Sequence, residues 1–205
     1  MSTITDVSPQ VKDKNRCNIY LDGSFYCGMK LETAVKHRLK VGLEIEKDRL
    51  DEIQLENEQS EATDKALTFI TARMKTGKEV FDYLKKKGYV PAVCEFVVEK
   101  LKGYGYIDDE EYSRQFVSSA SKNKGRRLIA LELKNRGVSE DCIENSLDNL
   151  SSEEAAFSVL SKYMKNKEFT RENLHKAFRY LMSKGFDYDE AKSALEKLGT
   201  DLGEE

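Results

Sequence analysis

Leu84-Lys85-Lys86-Lys87-Gly88-Tyr89, Leu133-Lys134-Asn135-Arg136-Gly137-Val138 and Leu181-Met182-Ser183-Lys184-Gly185-Phe186 are three versions of one helix ending. In each, a leucine closes the helix, a basic residue stands in the last turn, and glycine takes the position where the chain must turn left-handed. The basic residue also suits the negative end of the helix dipole. The glycines lie 49 and 48 residues apart. Two residues beyond each, a new helix is signalled: Val90 before Pro91, then Ser139, then Asp187. Counting from each glycine, the sixth residue is Cys94, Ile143 or Ala191, the tenth is Val98, Leu147 or Leu195, and the thirteenth is Leu101, Leu150 or Leu198. One apolar helix face is thus kept three times at the same offsets.

Working outward, the other helices of each repeat carry start signals. Thr76-Gly77-Lys78-Glu79, Asp108-Asp109-Glu110-Glu111 and Ser151-Ser152-Glu153-Glu154 each place a capping side chain three residues before glutamate. Each repeat is therefore about three helices, too small to bury much alone, so neighbours must stack. The reading is a mainly α protein of three tandem three-helix modules, at 62–107, 108–150 and 151–199, stacked into an elongated, curved array. Composition agrees: 39% hydrophobic and 35% charged residues suit thin modules better than one thick core.

Residues 1–60 read as a small α+β extension, a β-hairpin with a helix. Ile19-Tyr20-Leu21 and Ser24-Phe25-Tyr26-Cys27 flank Asp22-Gly23, a hairpin signal. Two registers fit. A two-residue turn sets Leu21 opposite Ser24; a three-residue loop sets Leu21 opposite Phe25 and Ile19 opposite Cys27. A short helix follows, with Leu31, Ala34, Val35 and Leu39 on one side and Gly42 as its stop. Leu43-Glu44-Ile45 is a further strand or an entry into helix. Residues 47–75 read as helical with a break at Asn57 to Ser60, which marks the domain boundary.

The net charge of −3 conceals a segregation. Residues 66–136 carry 15 Lys/Arg against 9 Asp/Glu, and residues 137–205 carry 9 against 15. The middle of the chain is the face for an anionic partner; the alternative is a basic segment that only keeps a dipolar protein soluble. No apolar run approaches a membrane span, and the start has no signal-peptide core, so a cytoplasmic protein is expected. Cys17, Cys27, Cys94 and Cys142 lack CxxC spacing and read as idle thiols, not a metal site.

Chemistry is hard to find. His37 and His175 have no ligand or nucleophile partner at a useful spacing, and no phosphate-cradling or nucleophile-elbow motif occurs. Paired carboxylates such as Asp108-Asp109 sit at helix starts, where capping explains them. A non-enzymatic binding protein without cofactor or metal is expected. Its candidate partner-binding residues are basic: Arg73 and Lys75 before the second helix of module one, Arg114, then Lys122, Lys124, Arg126 and Arg127 around Gly125, and Lys134 and Arg136 at the end of that helix. Such side chains pair with phosphates or with a partner's carboxylates, and stacked modules would line them along one groove. Lys85-Lys86-Lys87 reads as a solvated face. Tyr104, Tyr106 and Tyr112 flank the first module junction and either pack between modules or stack bases. Phe157, Leu160, Tyr163 and Met164 read as core.

Three stretches resemble the RecX family. Arg73-Met74-Lys75 with Glu79-Val80, Leu84 and Gly88 resembles its Arg-x-Arg…Glu-Leu…Leu…Gly pattern. Ile107-Asp108-Asp109-Glu110-Glu111-Tyr112-Ser113-Arg114-Gln115-Phe116 resembles its Ile-Asp-Asp helix. Lys124-Gly125-Arg126-Arg127-Leu128-Ile129, with Glu132-Leu133, resembles its second-module motif. The resemblance covers roughly residues 62–199, and the N-terminal segment resembles an extension of longer members. Two departures stand out: Lys75 replaces the family's arginine, making a forked contact a point-charge one, and the third module is acidic, which weighs against anion binding there. The resemblance implies a regulator that binds RecA recombinase filaments on single-stranded DNA and mostly inhibits them; a monomer is expected, with single- or double-stranded DNA as a further candidate partner. The rival readings are a DNA-binding module acting without a recombinase, or a helical-repeat adaptor that uses its acidic third module.

Overall fold

The structure, a computed structural model, describes residues 1–148 and 150–201. The chain divides into two compact units: Met1–Arg73 with Val80–Tyr104, and Met74–Glu79 with Gly105 onwards. Among the described residues, no helix is long and apolar enough to cross a membrane.

The first unit opens with an antiparallel sheet of β1 (Ser2–Pro9), β2 (Arg16–Leu21), β3 (Ser24–Lys30) and β4 (Glu44–Ile45), in the order β3-β2-β1-β4. Both hairpin registers are present, in different halves of the ribbon. At the tip, Leu21 faces Ser24 across a turn in which Asp22 and Gly23 both have positive φ. Further down, Ile19 faces Cys27, because a bulge leaves Tyr26 as an extra residue on β3. The slip keeps Cys17, Ile19 and Leu21 buried. Burial pushes the Cys27 thiol up to about 11, with neighbouring Cys17 and Asp51 adding to the effect.

α1 (Leu31–Lys36) is shorter than the sequence suggests. Ala34 and Leu39 are buried, but Leu31 is 41% and Val35 68% exposed, so the expected four-residue apolar side is not a core face. The chain leaves the helix at Arg38, which has positive φ, before it reaches Gly42. α2 (Lys47–Thr71) corrects a second expectation: it runs unbroken through Asn57 to Ser60. Asn57 is buried, accepts a hydrogen bond from the Lys30 backbone N–H at 2.8 Å and donates to Glu61 at 2.8 Å. α3 (Gly77–Lys86) and α4 (Pro91–Gly103) complete the region.

The second unit holds α5 (Asp109–Ala120), α6 (Arg126–Asn135), α7 (Glu140–Leu147), α8 (Glu153–Met164), α9 (Arg171–Ser183) and α10 (Tyr188–Asp201). From the end of α2 onwards the helices fall into three groups of three, as the repeat predicts. Leu84, Leu133 and Leu181 are fully buried, and Gly88, Gly137 and Gly185 all have positive φ. Thr76 with Glu79 and Asp187 with Glu190 form reciprocal capping boxes, and Asp108 accepts from the Glu111 N–H. Ser151-Ser152 departs from this: Ser152 precedes α8 without a side-chain cap, its hydroxyl buried and unpaired. Leu160 and Met164 are core, with Phe157 and Tyr163 packed against them.

Two backbone hydrogen bonds join the last two modules. The Gly125 N–H donates to the Lys184 carbonyl at 2.9 Å, and the Arg127 N–H to the Gly185 carbonyl at 3.2 Å. The start of α6 therefore rests on the turn that ends α9. Segment Met74–Glu79 meets the turn after α6 in a related way. The Thr76 hydroxyl donates to the Arg136 carbonyl at 2.6 Å and Lys78 Nζ to the Asn135 carbonyl at 3.0 Å.

Candidate functional site

Of the nine basic residues picked out in the sequence, Arg73 lies in the first unit and the other eight in the second, where their exposure differs. Arg73 is exposed and closes the first unit's N-terminal segment. Lys75 is only 8% exposed. Arg136 and Lys124 are partly exposed and engaged within the unit. Arg136 donates to Glu79 and to the Tyr112 hydroxyl, both at 2.9 Å, and its guanidinium lies 5.2 Å from the Phe116 ring centre. Lys124 Nζ donates to both Glu132 carboxylate oxygens at 2.6 Å and lies 5.9 Å from the same ring. These two cations brace α6 against α5 around Phe116. Tyr112, read as a junction tyrosine, is itself buried and part of this bracing, while Tyr104 and Tyr106 are more than half exposed.

The remaining cations of this unit are on the surface. Arg114 on α5 pairs with Glu111 at 2.9 Å and Glu110 at 3.6 Å, and the hydrogen bond to Glu111 raises the arginine further above its usual range. Arg126, Arg127 and Lys134 share a groove of about 510 Å³ between α6 and α7. Its other wall carries Glu140 and Glu144, with Leu131 and Ile143 between. Arg126 donates to the Leu147 carbonyl at 2.8 Å. Lys134 pairs with Glu140 at 2.6 Å; the hydrogen bond and charge together raise the lysine and lower the glutamate. Exposed pairs of this kind contribute little to stability and exchange readily for a partner's charge. Lys122 and Arg127 are exposed, and neither side chain has an ion-pair partner among the described residues. Both flank the first turn of α6, whose N-terminal dipole favours anions. The arrangement presents positive charge at the start of α6.

A second groove escaped the sequence reading. Arg171, His175 and Lys192 surround an apolar floor between α9 and α10. The repeat offset was the signal that finds it, since shifting Arg127 and Glu144 by the 48-residue spacing lands on His175 and Lys192.

Comparison with known proteins matches the whole of this organisation. Residues 2–46 match the model described as "Regulatory protein RecX N-terminal domain". Residues 62–101, 108–147 and 151–195 match the first, second and third three-helix domains of RecX. A relative from Clostridium tetani called "Regulatory protein RecX" is 32% identical over 97% of this chain and 95% of its own length. One of the same name from Bacillus subtilis is 34% identical over 97% and 78%. Among solved structures, one titled "Crystal structure of regulatory protein RecX" covers 96% of this chain and all of its own, with a TM-score of 0.72 at 24% identity. The structure of RecX from Lactobacillus salivarius covers 70% of this chain and 97% of its own, with a TM-score of 0.63 at 23% identity. At those identities the two structures establish the fold.

Proposed function

Because this chain belongs to the RecX family of regulatory proteins, we propose that it binds RecA-type recombinase filaments on single-stranded DNA and lowers their ATP hydrolysis, strand exchange and assembly. It acts as a cytoplasmic monomer, by binding and without catalysis or cofactor. The observation that carries the reading is the pair of uncompensated cations, Lys122 and Arg127, at the start of α6, beside the groove that holds Arg126 and Lys134. A filament offers two anionic surfaces to such a site, the carboxylates of its protomers and the phosphates of its DNA. Of the nine basic residues, these four with Arg114 are exposed on the second unit and make the contact in this reading, and Arg73, exposed on the first unit, is a separate candidate. Lys124 and Arg136 serve the contact indirectly, by holding α5, α6 and the Met74–Glu79 segment together.

The test is ATP hydrolysis by a preformed recombinase filament on single-stranded DNA, with this protein added below one per protomer. A fall in rate is expected. An unchanged rate at low salt, with the protein folded, overturns the reading. Bare DNA separates the main rival: a DNA-binding module acting alone requires strong binding with a steep salt dependence, which a filament regulator does not.

A further inference from the structure

The groove between α6 and α7 recurs between α9 and α10 with different chemistry. Where the first has Arg127, Ala130, Glu140 and Glu144, the second has His175, Phe178, Tyr188 and Lys192. Two carboxylates have become an aromatic ring and an ammonium. The second groove encloses about 500 Å³. Tyr188 is 61% exposed and meets Phe178 edge-on, ring centres 5.4 Å apart, with Leu195 completing an apolar floor. Among the described residues no carboxylate lines it. Lys192 lies 3.9 Å from Glu196, at the long limit of an ion pair, and Arg171 and His175 have no ion-pair partner among the described residues.

We infer that this groove is a docking site for an acidic, amphipathic peptide segment of a partner protein. A bulky apolar side chain fills the floor between Tyr188 and Leu195, and flanking carboxylates meet Arg171 and Lys192, with His175 as a further hydrogen-bond donor. Charge complementarity selects this occupant over a nucleic acid. The groove is cationic, but residues 137–200, the segment that holds it, carry 12 Asp/Glu against 9 Lys/Arg. A phosphate backbone running past the groove meets that negative field, whereas a peptide can confine its charges to the groove. The half-exposed floor is also more apolar than phosphate binding requires. The inference stands apart from recombinase regulation, and its test contains no recombinase.

The probe is a short fluorescein-labelled peptide with Glu and Asp flanking a central Phe-Leu pair, titrated with the full chain at low salt and followed by anisotropy. Saturable binding is expected, and none for the same peptide with Lys in place of the acids. R171E/K192E, two changes at exposed positions, is expected to weaken binding roughly tenfold or more. Tyr188→Ala, checked for folding by circular dichroism, is expected to weaken it several-fold through the floor alone. Failure of the native chain to bind, equal binding by R171E/K192E, or displacement of the peptide by an oligothymidylate each overturns the inference.

Discussion

Gly125 and Gly88 are glycines for opposite reasons. Gly125 has an ordinary backbone conformation, φ −81, but no room: a Cβ there would lie 2.3 Å from the Phe186 nitrogen and 2.4 Å from the Gly185 carbonyl oxygen. Gly88 has room on every side but a φ of +96. Gly125→Ala must push the start of α6 off the turn after α9 and lose the hydrogen bonds to Lys184 and Gly185. Overpacking and two lost bonds together cost about 3 kcal/mol. Gly88→Ala costs only the left-handed strain, about 1 kcal/mol. Urea unfolding followed by circular dichroism is expected to rank the two variants in that order, and equal losses would remove the close contact as the reason for Gly125. Local pattern shows why only one role was legible. A glycine after a leucine and a basic residue announces a helix end in its own neighbourhood. Gly125 sits in a basic run, and the turn that presses on it belongs to the next module.

The same distinction separates the helices. Those of the repeat were readable because each carries its own stop, start and apolar face, and because three copies agree. α2 has none of these advantages. Its first half turns Leu50 and Ile53 to the sheet core, and its second half turns Ala62 and Ala66 inward where it packs along α4. No single stripe runs its length. At the handover the pattern inverts: Leu55 is 45% exposed while Asn57 is 1% exposed. A polar run that looks like a break is a partly buried network, in which Asn57 satisfies the Lys30 N–H and Glu61 pairs with Arg16. Asn57→Ala leaves the Lys30 N–H without its acceptor and is expected to cost about 2 kcal/mol, while Leu55→Ala is expected to cost less than about 0.5 kcal/mol. Urea midpoints of the two variants decide the matter. A larger loss from Leu55→Ala would mean that the polar network holds nothing.

Across the whole molecule, the charge split read from the sequence survives, but its working part is smaller than the count suggests. Residues 66–136 hold 15 Lys/Arg against 9 Asp/Glu. Within that segment Lys124 is held by Glu132, and Arg136 is held by Glu79 and Tyr112. Sequence offers no view of which cations are already neutralised, because the partners arrive from other helices: Glu140 reaches Lys134 from α7, and Glu79 reaches Arg136 from the start of α3. It follows that reversing Lys124 mixes lost charge with lost bracing, whereas K122E/R127E removes charge alone. On a recombinase–DNA filament, K122E/R127E is expected to bind roughly tenfold more weakly at low salt and to unfold at the native urea concentration. If phosphates are the contact, the variant's affinity also falls less steeply with salt, since about two fewer counterions are released. Glu140→Gln moves the same measurement the other way. It frees Lys134 without touching the backbone, so a several-fold gain is expected wherever the α6–α7 groove meets negative charge. A loss for the first variant without a gain for the second would confine the contact to the start of α6. No change in either would remove this face from the interface altogether.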